Sequence, residues 1–170
     1  MKVAVTGHTS GIGRACQQHY GAVGFSRSNG FDINHPDTIV ELCGDADVFI
    51  NCAHGGFGQA VMLRAIFDSW RYQPKHIINI GVDKVDLRSW ELVHATYPVE
   101  KLAAHAMCEQ LQASDRHCRI TNICLGFVEN YSGDIQFADI IHCIDHVLHA
   151  SYEIKRINIG NGNRRVSADD

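Results

Sequence analysis

Short runs of apolar and β-branched residues alternate along this chain with longer stretches whose apolar residues recur at helical spacing. The short runs predict six strands, at Val3–Thr6, 22–26, 48–52, 76–80, 119–124 and Arg156–Ile159. The longer stretches predict helices at 38–43, 60–72, 97–113 and 137–151, and a short first helix at 13–20. Strands that alternate with helices indicate a doubly wound α/β fold, in which a parallel sheet lies between two layers of helices.

The composition fits a single folded domain. The chain has 170 residues, of which 45% are hydrophobic and 20% are charged. These values are typical of a globular domain with a sizeable core. Because no repeat, low-complexity stretch or long linker interrupts the pattern, we expect residues 1–170 to form one domain.

The charge balance and the apolar pattern argue against two classes of partner. Lys and Arg number 15 against 19 Asp and Glu, for a net charge of −4, so the chain lacks the basic excess that attracts nucleic-acid phosphates. No window has the roughly 18 or more apolar residues of a membrane span, and the first residues lack the apolar core of a signal peptide. We expect a cytoplasmic protein that binds neither nucleic acid nor membranes.

Cysteine and histidine are frequent, but their spacing predicts no metal site. The seven cysteines are scattered and never form a Cys-x-x-Cys pair, so we expect most of them to be small core residues. His142 and His146 share a face of the last predicted helix, without a carboxylate or thiolate at a suitable spacing. We expect surface or interface histidines there and no bound metal.

The first strand runs into a glycine-rich turn and then into a helix. Residues 3–15 read Val-Ala-Val-Thr-Gly-His-Thr-Ser-Gly-Ile-Gly-Arg-Ala. Gly7 permits a tight turn, Gly11 lets the backbone approach a pyrophosphate, and Gly13 lets the helix pack on the sheet. The N–H groups at the start of the helix then face the phosphates. The turn predicts a nucleotide site, although an ordinary strand-to-helix connection has the same local pattern.

Tyr97 and Lys101 form the second candidate group. On a helix these two positions lie roughly 6 Å apart on one face. A free tyrosine, with a pKa of ~10, is a poor acid or base near neutral pH, and a nearby ammonium favours the tyrosinate form. The pair predicts a proton donor and the cation that tunes it. The alternative interpretation is a solvated helix face.

These motifs and their order resemble the short-chain dehydrogenase/reductase family over nearly the whole chain. The turn has the family's Thr-Gly-x-x-x-Gly-x-Gly spacing, and residues 97–101 match its Tyr-x-x-x-Lys motif. Residues 51–54, Asn-Cys-Ala-His, are similar to the family's Asn-Asn-Ala-Gly segment with two positions changed. Three further segments resemble family strands: 76–81, 120–129 with Leu125 in place of a proline, and 156–162.

The resemblance implies a Rossmann-type fold and an NADP(H)-dependent oxidoreductase that transfers hydride to or from a carbonyl or alcohol substrate. In the family the tyrosine protonates the carbonyl oxygen as hydride arrives, and the lysine also holds the nicotinamide ribose. Tyr97 and Lys101 are therefore the predicted catalytic residues. The predicted cofactor-binding residues are Gly7, His8, Ser10, Gly11, Ile12, Gly13, Ser26, Arg27, Ser28, Asp32, Ile33, Asn51, Ala53, His54, Ile80, Tyr97, Lys101, Gly126 and Val128.

The loop after the second strand bears on the choice of cofactor. It lacks an acidic residue to hydrogen-bond the adenosine ribose 2′-hydroxyl, and it offers Arg27 between Ser26 and Ser28. Because a guanidinium suits a 2′-phosphate, we expect NADP(H) in preference to NAD(H). An exposed loop arginine is the alternative.

Asp32 and Ile33 occupy the positions that bracket the adenine in the family. The Asp32 carboxylate is suited to accept a hydrogen bond from the adenine amino group. It is equally suited to cap the helix that begins near Pro36, a role for which Asp37 competes.

The family serine that polarises the substrate carbonyl has no counterpart just after the 76–80 strand. Residues 81–84 read Gly-Val-Asp-Lys and offer no hydroxyl. Thr96, Ser89 and His94 are the candidates to approach the carbonyl instead.

Two other family features are missing from the sequence. The asparagine of the family's proton relay has no clear match between positions 55 and 70. The stretch from Gly126 to the last predicted helix is too short for a helical lid, so we expect an open substrate cleft.

These departures leave two other functions open. One is a nucleotide-binding sensor or regulatory protein without dehydrogenase turnover. The other is a sugar-nucleotide epimerase or reductase, because residues 45–53 also resemble extended members of the family. The family commonly pairs two helices across a two-fold axis, which here predicts a homodimer or homotetramer through helices 60–72 and 97–113.

Overall fold

A parallel sheet forms the centre of the structure, a computed structural model that describes residues 1–83, 96–129 and 135–160. Its six strands are β1 (Val3–Thr6), β2 (Val23–Phe25), β3 (Val48–Asn51), β4 (His76–Val82), β5 (Arg119–Leu125) and β6 (Arg156–Ile159). Their order across the sheet is β2-β1-β3-β4-β5-β6, and every neighbouring pair is parallel.

Helices connect the strands and cover both faces of the sheet. They are α1 (Gly11–Tyr20), α2 (Asp37–Leu42), α3 (Gly58–Trp70), α4 (Tyr97–Gln112) and α5 (Phe137–His149), with a 3₁₀-helix at Arg27–Asn29. Every predicted strand and helix is present, with ends that differ by at most two residues. Among the described residues, the 3₁₀-helix is the one element that was not predicted. The doubly wound, three-layer α/β fold is therefore confirmed.

Side chains that alternate along the central strands pack into two separate hydrophobic cores, one on each face of the sheet. Val3 and Val5 of β1 pack with α1 and α5, whereas Ala4 between them packs with α2, α3 and α4. Phe49 of β3 faces the second group and meets the Trp70 ring edge-on at 6.2 Å. Each fully buried side chain of this size contributes roughly 1.5–3 kcal/mol of hydrophobic free energy. Both faces of the sheet are therefore fixed by packing.

The strand order changes direction between β1 and β3, and this places the functional site. From β1 the chain goes outward to β2 and then returns to β3 on the other side. The helix after β1 lies on one face and the helix after β3 on the other. A crevice therefore opens at the carboxyl ends of these strands, as is general in sheets of this kind.

The cysteines match the expectation from their scattered spacing. None of the seven forms a disulfide, and five of them are buried: Cys16, Cys43, Cys108, Cys118 and Cys124.

Candidate active site

A cavity of about 840 Å³ occupies the crevice at the carboxyl ends of the strands. Its size lies in the range of small-molecule and cofactor sites. One wall contains the turn after β1 and the loop after β2, and the opposite wall contains the start of α4 and the end of β4. The two groups of candidate residues from the sequence thus face one shared space.

The glycine turn is built from close backbone contacts. Gly7 has φ +75°, a conformation that favours glycine, and a Cβ there would lie 3.0 Å from Ala53 Cα. A Cβ on Gly13 would lie 2.2 Å from the Gly7 carbonyl oxygen, so only glycine lets α1 start this close to the strand. The predicted steric roles of both glycines agree with this geometry.

The N-terminus of α1 opens into the cavity. Ser10, Gly11 and Ile12 line it, and the Ser10 side chain does not cap the helix. The first N–H groups of a helix have no partner within the helix and carry a partial positive charge. No acidic side chain in the first turn of α1 competes for them. This end of the cavity fits the pyrophosphate of a dinucleotide.

The loop after β2 is held in one conformation by its own side chains. The Ser26 N–H donates to Asn29 Oδ1 at 2.8 Å, and Asn29 Nδ2 donates to the Gly24 carbonyl at 2.9 Å. Ser26 Oγ and Ser28 Oγ lie 2.8 Å apart. These contacts form the 3₁₀-helix and place Ser26, Arg27 and Ser28 in the cavity wall.

Asp32 lies in the same wall and makes an Asx turn. Its carboxylate accepts hydrogen bonds from the Asn34 N–H and from Asn34 Nδ2, both at 2.9 Å. These hydrogen bonds lower the pKa of Asp32. The capping alternative is wrong, because α2 begins at Asp37 with Pro36 as its N-terminal neighbour.

Tyr97 and Lys101 lie on the opposite wall, at the start of α4. Lys101 Nζ lies 5.7 Å from the centre of the Tyr97 ring. Burial lowers the pKa of Lys101 to about 8, and the negative charge of the Glu100 carboxylate acts in the opposite direction. At neutral pH the ammonium therefore remains mostly protonated beside the phenol. This is the arrangement that favours a tyrosinate.

Solved structures of similar shape share this architecture. Serine dehydrogenase from Escherichia coli has a TM-score of 0.70 at 18% identity, over 94% of this chain and 97% of that one. A short-chain dehydrogenase from Burkholderia cenocepacia in complex with NADP has a TM-score of 0.75 at 17% identity, over 95% and 90%. A 4-hydroxyisoleucine dehydrogenase complexed with NADH has a TM-score of 0.72 at 18% identity, over 95% and 98%. The chain has the short-chain dehydrogenase/reductase fold. No protein-family model matches the chain, and no curated protein sequence matches it.

Gln59, which was not predicted from the sequence, makes direct contact with Lys101. Lys101 Nζ donates to Gln59 Oε1 at 2.7 Å. The Gln59 amide nitrogen lies within hydrogen-bond distance of the Asn51 carbonyl at 3.1 Å and of the Ile80 carbonyl at 2.8 Å. Because these backbone acceptors fix the nitrogen, the oxygen must face Lys101. The one sequence signal was an isolated amide near the start of a predicted helix.

A row of buried amides continues from Gln59 across the sheet. Gln59 Nε2 donates to Asn79 Oδ1 at 3.1 Å, and Asn79 Nδ2 donates to Asn122 Oδ1 at 2.9 Å. Asn122 Nδ2 lies 2.9 Å from His105 Nδ1 on α4. The row therefore leaves α4 at Lys101 and returns to it one turn later, which ties this helix to the sheet at two points.

His54 stands in the cavity wall between the two groups. Its Nε2 lies 2.7 Å from Glu100 Oε2, and its ring meets the Tyr97 ring with centres 4.8 Å apart. Burial and the positive charge of Lys101 lower the pKa of His54, while Glu100 acts in the opposite direction. The sequence predicted His54 as a contact of the ligand, but the Glu100 pairing was not predicted.

The end of β4 supplies apolar atoms where the family has a serine. Gly81 and Val82 line the cavity there. Thr96, one of the three candidates for the serine's role, also lines the cavity. The other two candidates for the serine's role, Ser89 and His94, lie outside the described residues. The predicted absence of a helical lid concerns residues 126–136. Of these, 130–134 also lie outside the residues that the structure describes.

Most predicted site residues line the cavity. Those that do are Gly7, Ser10, Gly11, Ile12, Ser26, Arg27, Ser28, Asp32, Ile33, Ala53, His54, Ile80, Tyr97, Lys101, Gly126 and Val128. Gly13 lies behind the wall, where it serves the turn by its lack of a side chain. Cys52 also lines the cavity, and burial raises the pKa of its thiol to about 11, so that it is not a thiolate at neutral pH.

Two predicted contacts lie away from the cavity surface. The His8 ring packs over β2, where a Cβ on Gly24 would lie 2.3 Å from His8 Cγ. Asn51 is fully buried, and its Nδ2 donates to the Gln59 carbonyl at 2.9 Å. Asn51 therefore supports the wall from behind, as part of the amide row, and His8 braces the turn against β2.

The described residues contain neither a candidate membrane span nor a candidate metal cluster. No helix there is long and apolar enough to span a membrane. No group of three or more His, Cys, Asp or Glu side chains there could hold a metal ion.

Proposed function

We propose that the protein is an NADP(H)-dependent oxidoreductase that moves hydride between a nicotinamide and a carbonyl or alcohol substrate. The observation that carries the proposal is that the α1 N-terminus and the Tyr97–Lys101 pair line one cavity. A phosphate site alone would suit many nucleotides. An acid–base pair facing the same space suits a redox nucleotide whose reaction also moves a proton.

The nucleotide half of the site is proposed from the first wall. The free N–H groups at Gly11 and Ile12 suit the pyrophosphate. Arg27, with Ser26 and Ser28 beside it, suits a 2′-phosphate and supports NADP(H) over NAD(H). Some structures of similar shape were solved with NADP and others with NADH. They support a nicotinamide cofactor without deciding which one this chain prefers.

The chemical half is proposed from the second wall. When bound, the reduced nicotinamide supplies the hydride. Tyr97 donates its phenolic proton to the substrate oxygen, or accepts it in the opposite direction. Lys101, held by Gln59, lowers the cost of the tyrosinate and offers N–H donors to ribose hydroxyls. Residues 1–170 would then form a single nucleotide-binding domain that carries the whole reaction.

Calorimetry with NADPH and NADH, followed by assays with aldehydes, ketones and quinones at the reduced-cofactor absorbance, tests this proposal. We expect tighter binding of NADPH than of NADH, and oxidation of NADPH by at least one substrate class. If neither cofactor binds, the nucleotide site is wrong.

A nucleotide-binding sensor or regulatory protein is the second candidate function. It is favoured by one observation, namely that β4 ends with Val82 in the cavity wall, where a substrate-polarising hydroxyl would be expected. Such a protein would bind NADPH and oxidise none of it with any substrate of the panel. The same two measurements therefore separate the two functions.

We also propose that the protein forms a homodimer or homotetramer through α3 and α4. Three apolar side chains on these helices are exposed: Val61, Val99 and Leu102. Sedimentation of the wild type and of Leu102→Glu tests this. We expect the wild type to sediment as an oligomer and the variant as a smaller species, and a monomeric wild type would contradict the proposal.

A further inference from the structure

The proposed reaction takes a proton from Tyr97 in every reductive turnover, and that proton must be replaced from solvent. Lys101 is the neighbouring cation, but this residue is only 8% exposed. Its ammonium donates to Gln59, which lies deeper in the protein. The question is therefore which neighbouring group connects Tyr97 to water.

The interior behind Lys101 is unsuited to carry a proton. Gln59, Asn79 and Asn122 are carboxamides, which keep both N–H protons near neutral pH and have no proton to release. Their orientation is also fixed, because Gln59 Nε2 faces the backbone carbonyls of Asn51 and Ile80. These three carboxamides separate Lys101 from the His105 imidazole at the far end of the row, so the row supports the helix and does not conduct a proton.

His54 has the properties that the amide row lacks. Imidazole gains and loses a proton near neutral pH. The side chain of His54 is 37% exposed, lies in the cavity wall and contacts the Tyr97 ring at 4.8 Å between ring centres. It therefore touches both solvent and the proton donor.

Glu100 holds the imidazole in a defined orientation. Its side chain is 10% exposed, and its Oε2 lies 2.7 Å from His54 Nε2. With Nε2 directed at the carboxylate, Nδ1 is the nitrogen left for exchange. A carboxylate in this position also stabilises the imidazolium that forms when the ring takes up a proton.

Three titratable groups that act on or contact His54 lie on α4, and the Cys52 thiol, which burial keeps protonated, lines the same cavity. Glu100 favours the protonated ring, whereas burial and Lys101 disfavour it. Tyr97 is the third such group. From the segment before α2, the nearest group to the neighbouring Gly55 is the uncharged Asn34 amide. Protonation of the His54 ring is thus favoured by one neighbour and disfavoured by another, which suits a group that gains and loses a proton in each turnover.

We propose that His54, positioned by Glu100, is the proton-relay residue that resupplies Tyr97 from solvent. This inference rests on the proposed oxidoreductase function. In the reductive direction, hydride reaches the carbonyl carbon and the Tyr97 proton reaches the carbonyl oxygen. The tyrosinate then takes the Nδ1 proton of the His54 imidazolium, directly or through one water, and neutral His54 takes a proton from water. One solvent proton is consumed for each substrate, and the oxidative direction reverses these steps.

His54→Ala tests the relay, with His146→Ala as the matched control because His146 is exposed on α5, away from the cavity. We expect kcat to fall by on the order of 10²-fold in His54→Ala while NADPH affinity changes only a few-fold. Imidazole added to the solution fills the space of the missing ring and restores part of kcat. A structural defect would not respond to imidazole. The control should keep the wild-type kcat.

A second measurement needs neither cofactor nor substrate. The ring resonances of His54 are followed against pH by NMR in the wild type and in Glu100→Gln. Because the carboxylate favours the imidazolium, we expect the variant's inflection to lie roughly one pH unit lower. An unchanged inflection would show that Glu100 does not pair with His54, and would overturn the proposed relay.

The outcomes separate the relay from the proposed function. A wild type that turns over, with a His54→Ala variant that keeps its kcat or does not respond to imidazole, contradicts the relay alone. A wild type that binds no NADPH contradicts the oxidoreductase function, and the relay with it.

Discussion

The two walls of the cavity are built in different ways. In the wall proposed to hold the nucleotide, the turn after β1 depends on close backbone contacts that Gly7 and Gly13 allow. The wall that carries Tyr97 consists of polar side chains, and Lys101 is held there by the buried Gln59 amide. The first wall depends on space and the second on satisfied hydrogen bonds.

This difference predicts which kind of substitution disrupts each wall. A small added volume disrupts the nucleotide wall, because backbone cannot move aside. An isosteric change of chemistry leaves that wall intact but disrupts the other, where a buried donor or acceptor would lose its partner. Variants of the two kinds should therefore have distinct signatures.

The largest effect is expected from removing one hydroxyl group of the polar wall. Tyr97→Phe should reduce turnover by on the order of 10³-fold or more, because the proton donor is lost, while NADPH affinity stays within a few-fold. Steady-state kinetics and calorimetry measure the two quantities. Tyr72→Phe is the matched control, since Tyr72 is exposed outside the cavity. Undiminished turnover in Tyr97→Phe would remove this residue from the mechanism.

One added methyl group should disrupt the nucleotide wall. In Gly13→Ala the new Cβ would meet the Gly7 carbonyl oxygen, so we expect the free energy of unfolding to fall by roughly 3 kcal/mol or more and NADPH binding to be lost. Gly160→Ala is the control, because a Cβ there meets nothing within 4 Å. Urea unfolding checks both. Equal stability of the two variants would mean that the turn accommodates a Cβ at position 13.

Gln59→Leu tests the polar wall at nearly constant volume. It removes the acceptor of Lys101 and the donor to Asn79, so we expect a loss of about 1–3 kcal/mol per buried group left without a partner. The control is Gln73→Leu, on an exposed glutamine. A Gln59→Leu protein as stable and active as the control would show that the amide row is dispensable.

Arg27→Ala tests the cofactor preference. The guanidinium suits a phosphate and has no counterpart on NADH, so NADPH affinity should fall about tenfold and NADH affinity much less. Arg64→Ala, in an exposed pair with Asp68, is the control. Equal loss for the two nucleotides would contradict the 2′-phosphate assignment.

The smallest expected effect is a shift in the pH dependence of kcat/KM. Since burial lowers the pKa of Lys101 to about 8, the cation is lost as pH rises through that value, and kcat/KM in the reductive direction should decline above it. Gln59→Leu removes the oxygen that accepts from the ammonium, which disfavours the charged form and should move the decline to lower pH. A decline that stays at the same pH in this variant would mean that another group controls it.

The sequence predicted local features well. The glycine spacing of residues 7–13 and the one-turn spacing of Tyr97 and Lys101 are properties of neighbouring residues, and both place their members around the cavity. The strands and helices followed in the same way from short-range apolar periodicity.

Contacts between distant residues could not be predicted in this way. Gln59 and Lys101 are 42 positions apart, and His54 and Glu100 are 46 apart. Their pairing depends on how α3 and the loop before it pack against α4, which no local pattern specifies. The direction of a side chain could not be predicted either: His8 and Asn51 were predicted as cofactor contacts, and the structure packs the His8 ring over β2 and buries Asn51 in the amide row.

The central claim is that one cavity serves both the nucleotide and the Tyr97–Lys101 pair. An NMR titration of the wild type with NADPH, following the Gly11 amide and the Lys101 side chain, tests it most directly. Lys75, which precedes β4 at the opposite end of that strand, is the internal control. We predict that Gly11 and Lys101 shift together with one saturation curve while Lys75 stays unchanged. A shift at Gly11 without one at Lys101, or no shift at either, would contradict the account.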